Sequence, residues 1–254
     1  MSAFADSAFR RLLDVTVAGV LLVVLSPLLA VLSLLVRATS PGRALFRQTR
    51  IGRHGRPFVL LKLRTMRADA ARMGPAITAG ADPRITPLGA RLRRAKLDEL
   101  PQLWNVLRGD MSLVGPRPEL PQYVARYTPA QRAVLLTRPG LTDPASLAWA
   151  DEAAMLATFA DPHRAYAQVV LPRKLALSLA YLERRTVWTD LALVTRTAAH
   201  VARSALPAVF RRAPAGATIR PVSVATPASR ASTRNRRRRD TGERAGRRIP
   251  AGSR

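Results

Sequence analysis

Asp98 and Glu99 are adjacent carboxylates in a field of cations: Arg84, Arg91, Arg93, Arg94 and Lys96 precede them, and Arg108 and Arg117 follow. Leu100, Leu103, Trp104 and Leu107 recur at the i, i+3, i+4, i+7 spacing of one apolar helix face. Pro101 suits a first helical turn, and Gly109 suits the position just past a helix end. The spacing predicts a short helix with the acidic pair at its start, beside the positive end of the helix dipole and any anion that joins it. Neighbouring helix residues point about 100° apart, so the two carboxylates do not face each other as a proton-sharing pair. They can divide two jobs instead, one attacking an electrophile while the other holds a divalent metal, both roles known in phosphoryl transfer. The surrounding positive charge exceeds what two acids use, which suits a polyanionic substrate such as a diphosphate. The alternative is a capped helix start whose acids pair with surface arginines, and the spacing alone leaves both open.

Elements that must position this pair lie on either side. Residues 15–36 are apolar apart from Thr16, Ser26 and Ser33, long enough to cross a bilayer. Pro27 sits at the middle of that segment, where it removes a helix hydrogen bond, and Ser26 can help satisfy the freed backbone. Arg10 and Arg11 precede the segment while Arg37 and Arg43 follow it, so both ends favour the cytoplasm. A helix over about 12–37 that enters, breaks at Ser26-Pro27 and returns to the same face meets both observations; an uninterrupted span is the alternative. A signal peptide is disfavoured by the length and by the lack of a small-residue cleavage site. Next, residues 44–48 and 58–63 read as a hairpin around Gly52 and Gly55, with Lys62 and Arg64 at its end. An Ala- and Gly-rich connection over 68–81 carries no evident chemistry.

Downstream, Gly115, Pro116 and Pro118 make a stiff loop that fixes the Arg117 guanidinium for bidentate phosphate recognition, and Arg138 before Pro139 and Gly140 is a second such candidate. Residues 151–210 read as helices broken at Pro162 and Pro172, with Leu175, Leu179 and Leu182 on one face and Trp188, Leu191 and Val194 on another. Such basic amphipathic helices either lie in a membrane interface or pack on the core. The predicted fold class is mainly α with a small β-hairpin (α+β), as one domain over 1–210. Residues 211–254 form an Arg-rich tail of disordered composition, with thirteen Arg against Asp240 and Glu243. The 254-residue chain carries a formal charge of +26 and no cysteine, which excludes disulfides and thiolate metal sites and directs it to anions. Its few aromatics are not interleaved with the basic run, so no specific nucleic-acid partner is expected. His54, His163 and His200 lack metal-ligand spacing.

The run LDELPQLWNVLRGDMSLVGPRPE resembles the signature of the bacterial sugar transferases, the monotopic phosphoglycosyl transferases. FRQTRIGRHGRPFVLLKLRTM, DPRIT and RPGLT agree in order, and the resemblance covers about residues 10–200. It implies a re-entrant membrane helix at the cytoplasmic face of a bacterial inner membrane with anionic lipids, and a minimal catalytic unit without extra N-terminal helices. It further implies that Asp98 attacks a UDP-sugar, releasing UMP and leaving a covalent sugar phosphate for a polyprenyl phosphate acceptor such as undecaprenyl phosphate. Glu99 would hold Mg2+, with Lys62, Arg93 and Arg117 neutralising the phosphates. The product would begin a lipid-linked glycan such as exopolysaccharide. After RPGLT the chain reads DPASLAWADE instead of the common glycine-tryptophan form, which bears on the nucleotide and sugar contacts. A metal-dependent lipid phosphatase using the same carboxylates and a basic membrane adaptor are the competing functions.

Overall fold

The computed structural model describes residues 7–74 and 77–205. The Arg-rich tail lies outside the described residues, so the expectation of disorder there stands on composition alone.

The long helix α1 (Ala8–Thr39) begins at Ser7, whose Oγ accepts from the Arg10 amide at 3.2 Å. It passes through Pro27 without interruption, so the break expected at Ser26-Pro27 is not there and α1 is one continuous helix. Pro27 leaves the Val23 carbonyl without its usual donor, and the Ser26 hydroxyl donates to that oxygen at 2.8 Å, the repair its position suggests. One stripe of α1 faces the rest of the molecule along its whole length. Ala18, Leu22 and Leu25 pack with Leu60, Leu103, Val106 and Met111, while Leu32 and Val36 pack with Leu63 and Leu92. The other face, including Val20, Val23, Val24, Val31 and Leu34, is exposed.

Strands β1 (Leu45–Ile51) and β2 (Pro57–Leu63) form an antiparallel hairpin in which Phe46 lies opposite Lys62 and Gln48 opposite Leu60. Short helix α2 (Ala70–Met73) precedes α3 (Pro87–Arg94), which is capped by Thr86 accepting from the Gly89 amide at 3.0 Å. Lys96, left-handed at φ 56°, turns the chain into a 3-10 turn over Leu97–Glu99. Helix α4 (Gln102–Arg108) follows and ends at Gly109, with φ 92°. The acidic pair therefore sits in a separate 3-10 turn just ahead of the helix. The buried face of α4 is Gln102, Leu103, Asn105 and Val106, and Trp104, placed by its spacing on the apolar face, is half exposed. The helix is covered on two sides, by β2 and by α1, and that arrangement overrides the simple stripe.

Strand β3 (Ser112–Val114) pairs in parallel with β4 (Gly140–Thr142). A Cβ on Gly140 would fall 2.1 Å from the Gly115 amide nitrogen, so this approach needs glycine. Between them lies α5 (Pro121–Val124), and after β4 come α6 (Pro144–Ala148), α7 (Glu152–Leu156) and α8 (Pro162–Ala165). A π-turn at Tyr166–Val170 runs directly into α9 (Leu171–Glu183). Pro172 thus does not break the helix: the opened π-turn just before it accommodates the missing N–H and the proline ring. Leu175, Leu179 and Leu182 face the interior, the packing alternative for that face. On α10 (Val187–Ala205), Trp188 is 79% exposed and Leu191 is exposed as well. The observed class is mainly α with small sheets, as expected.

Candidate active site

The hairpin, the 3-10 turn and the Pro116–Pro118 loop converge on Glu99. Both Glu99 oxygens accept from Arg117, Oε2 from Nη1 at 3.1 Å and Oε1 from Nη2, and Lys62 Nζ lies 3.6 Å from Oε1. Burial works to raise the Glu99 pKa, but the charges of Arg117 and Lys62 outweigh it and hold the carboxyl far below its usual range. In return Glu99 raises the pKa of Arg117 against burial. Burial pushes the Lys62 ammonium down to about 8, the pull of Glu99 notwithstanding.

Asp98 has the opposite environment. It is 5% exposed, and among the described residues none hydrogen-bonds either of its oxygens. Burial, reinforced by the charge of Glu99, raises its pKa, while Lys62, Arg93 and Lys96 oppose the rise. One carboxylate is pinned between cations and the other is nearly buried, surrounded by positive charge and unengaged. Environments that push paired acids apart are how one site assigns them different roles.

The remaining sequence candidates divide. Arg93 donates to Thr65 Oγ1 at 2.9 Å and to Thr78 Oγ1 at 3.3 Å, and its charge acts on Asp98. The connection over 68–81 is thus tied to the site through Thr78. Arg64 instead donates to the Ser40 carbonyl at 2.7 Å and its Oγ at 2.9 Å, serving the unpaired carbonyl end of α1. Arg138 donates to the Gly109 carbonyl at 2.9 Å, bracing the turn after α4. Asp143 caps α6, accepting from the Ser146 amide at 2.7 Å and from Ser178 at 2.8 Å, a structural role.

Several supporting residues escaped the sequence reading. Arg50 on β1 donates to the Pro118 carbonyl at 3.1 Å and lies 3.6 Å from buried Glu119, which also accepts from Tyr166 Oη. The Arg117 loop is therefore clamped from the hairpin and from the helical core. Asn105 accepts from the Leu61 amide at 3.1 Å and donates to the Val59 carbonyl at 2.7 Å, stitching α4 to β2. Gln102 is 1% exposed, and its Nε2 is buried without a hydrogen-bond partner. Only the coincidence of β2, α4 and the Pro-rich loop in space reveals these residues; none has a local spacing signal.

A divalent ion such as Mg2+ takes one or two carboxylates and fills its shell with phosphate oxygens and water. Among the described residues there is no cluster of three or more His, Cys, Asp or Glu. Glu99 is the carboxylate that could contribute to such an ion, and here both its oxygens accept from Arg117.

A profile of the bacterial sugar transferase family matches residues 5–204. A UDP-glucose:undecaprenyl-phosphate glucose-1-phosphate transferase of Caulobacter vibrioides is 40% identical over 200 residues, covering 74% of this chain and 67% of the relative. A UDP-N-acetylgalactosamine-undecaprenyl-phosphate N-acetylgalactosaminephosphotransferase of Aeromonas hydrophila is 31% identical, covering 74% of this chain and 42% of the relative. An exopolysaccharide production protein of Rhizobium leguminosarum is 47% identical over 113 residues, covering 44% of this chain and 56% of the relative. The chain thus spans about two thirds or less of these relatives' lengths. It belongs to the bacterial sugar transferase family and is a phosphoglycosyl transferase.

Proposed function

We propose that this chain moves a sugar 1-phosphate from a UDP-sugar to a polyprenyl phosphate such as undecaprenyl phosphate, through a covalent phosphosugar on Asp98. The contrast between unengaged Asp98 and pinned Glu99 carries the reading. In the first step an Asp98 oxygen attacks the phosphorus that bears the sugar. The bond from that phosphorus to the bridging oxygen breaks, and its electron pair leaves on UMP. In the second step an acceptor phosphate oxygen attacks the same phosphorus, and Asp98 departs as the carboxylate. No proton is needed on balance, which suits a site whose polar groups are mostly permanent cations. Arg117 and Lys62, already on Glu99, and Arg93, beside Asp98, neutralise charge gathering on the phosphoryl oxygens. Mg2+ held by Glu99 and the diphosphate would supply further neutralisation of the leaving group.

The relatives' names support the UDP-sugar donor and the undecaprenyl phosphate acceptor, and they differ in the sugar. The product would enter exopolysaccharide or another lipid-linked glycan. A monotopic placement at the cytoplasmic face is favoured because both halves of α1 dock on the same catalytic body. Trp188 and Leu191 on α10 would then lie at head-group depth, against anionic lipid.

The test is UMP release by purified protein in nanodiscs with Mg2+, undecaprenyl phosphate and a panel of UDP-sugars, beside intact-mass analysis without acceptor. One donor should release UMP and leave a sugar-phosphate mass on the protein, and Asp98→Asn should abolish both. Full turnover by Asp98→Asn overturns the nucleophile, and free phosphate as the product identifies a phosphatase instead.

A further inference from the structure

Glu99, Gln102 and Asn105 form a row along one side of the segment that enters α4. Between the 3-10 turn and the helix the backbone stays helical, at φ −54° and ψ −36° for Leu100 and φ −61° and ψ −15° for Pro101. The amides of Leu100, Leu103 and Trp104 donate to carbonyls three residues back. With that periodicity, residues three apart lie one above the other. The outer members of the row both reach β2, Glu99 through Lys62 at 3.6 Å and Asn105 through Leu61 and Val59. Gln102, between them, is 1% exposed, and its amide donor has no partner.

A buried amide without a partner costs stability, and an apolar side chain of similar shape would avoid the cost. Leu103 and Val106, on the same helix, show that apolar choices fit where packing alone matters. One position around, Asp98 is an acceptor that no described residue engages. The entrance to α4 therefore holds a donor without an acceptor four residues, about one turn, after an acceptor without a donor. Something that bonds to one and presents oxygens to the other would complete both.

We infer that Gln102 contacts the transferred phosphoryl group, its Nε2 donating to a non-bridging oxygen of the phosphosugar carried on Asp98. This rests on the covalent reading above. Forming the Asp98–phosphorus bond adds acceptor oxygens beyond the carboxylate, the kind of partner that a donor one turn further along the same segment lacks. A neutral donor suits this place. It stabilises charge on the phosphoryl oxygens as they gather it, yet adds no further cation to stabilise the Asp98 carboxylate and so weaken it as a nucleophile.

The experiment uses the full chain in nanodiscs with Mg2+ and the UDP-sugar that labels the wild type. It reads the rate of adduct formation by intact mass, alongside the melting temperature. Gln102→Leu and Gln102→Met remove the donor and keep the bulk. They should slow adduct formation by about 10²-fold, the effect of losing one preorganised donor, and melt at or above the wild-type temperature. Gln102→Glu, which keeps the shape and one oxygen, should be slowed at least as much. An adduct rate like wild type in either apolar variant, or a wild-type rate in Gln102→Glu, overturns the inference. So does loss of folding in both apolar variants, which would make Gln102 a structural residue. No adduct on the wild type with any donor overturns the covalent reading, and this inference with it, whereas a wild-type adduct with an indifferent Gln102 overturns the inference alone.

Discussion

Lys62 gives the site a pH dependence that its surroundings predict. Its ammonium lies 3.6 Å from Glu99, and on the proposed reading it must be charged to meet the diphosphate. Burial brings its pKa down from 10.5 to about 8. At that value about nine tenths of the free enzyme carries the charge at about pH 7 and about one tenth at about pH 9. The protonated form is the active one, so donor kcat/KM should fall about tenfold between those pH values, with a basic limb near 8. Asp98 sets the other side. Its pKa is raised by burial, and on the proposed reading it must be passed for attack, so the acid limb is shifted upward from that of an ordinary aspartate. Once bound, the diphosphate favours the charged ammonium, so kcat should fall less steeply at high pH than kcat/KM.

UMP release against pH measures both profiles. Lys62→Arg keeps its charge throughout and should lose the basic limb even if its absolute rate drops, because a planar guanidinium does not replace an ammonium in place. Lys62→Met should be slow everywhere and equally lack the limb. A basic limb near 8 that survives in either variant refutes the assignment of that titration to Lys62.

Two other outcomes follow from named contacts. Tyr166→Phe removes the hydroxyl that donates to buried Glu119, which should cost about 1–3 kcal/mol, a few degrees in melting temperature. Because Arg50 and Glu119 clamp the Arg117 loop, kcat should fall as well, and an unchanged kcat would reduce the clamp to a structural contact. The chain has no native cysteine, so Ala8→Cys and Arg43→Cys report separately on the two ends of α1. Both should react with an impermeant maleimide from the same side of sealed vesicles, and labelling from opposite sides would establish a spanning helix.

What the sequence revealed and what it concealed follow from the range of each interaction. The apolar run of α1, the hairpin around Gly52 and Gly55 and the acidic pair in its basic setting are all local patterns, and the structure keeps them. The partners of the pair are not local. Arg117 is 18 residues from Glu99 along the chain, and Lys62 reaches it from another element altogether. Arg64 stands two residues from Lys62 with the same charge, yet it turns to the end of α1, because unpaired carbonyls there outbid the site. Trp104 and Pro172 were misplaced for a related reason: spacing describes a helix in isolation, whereas α4 is covered on two sides and the turn before α9 opens to admit a proline. Gln102 lay in plain view within the motif, but an orphan donor becomes visible only when everything around it has been paired.

Contacts of this kind also explain why the long apolar helix α1 belongs to this site at all. Arg11 of α1 donates to the carbonyls of Val106 and Leu107 at 2.6 and 2.7 Å, satisfying the end of the helix that follows the carboxylates. Asp14 accepts from the Leu113 amide at 2.9 Å, tying α1 to the strand that leads into the Arg117 loop. Ala18, fully buried, lets α1 and α4 approach closely. Helix α4, which follows directly on the turn carrying Asp98 and Glu99, and the strand leading to the Arg117 loop are thus both fastened to α1 within its first three turns. On the proposed reading, the height of the carboxylates relative to the bilayer is set by these contacts and not by a flexible tether. A lipid phosphate can then meet the phosphosugar on Asp98 without leaving the head-group layer, and the soluble donor can reach the same atom from the water side.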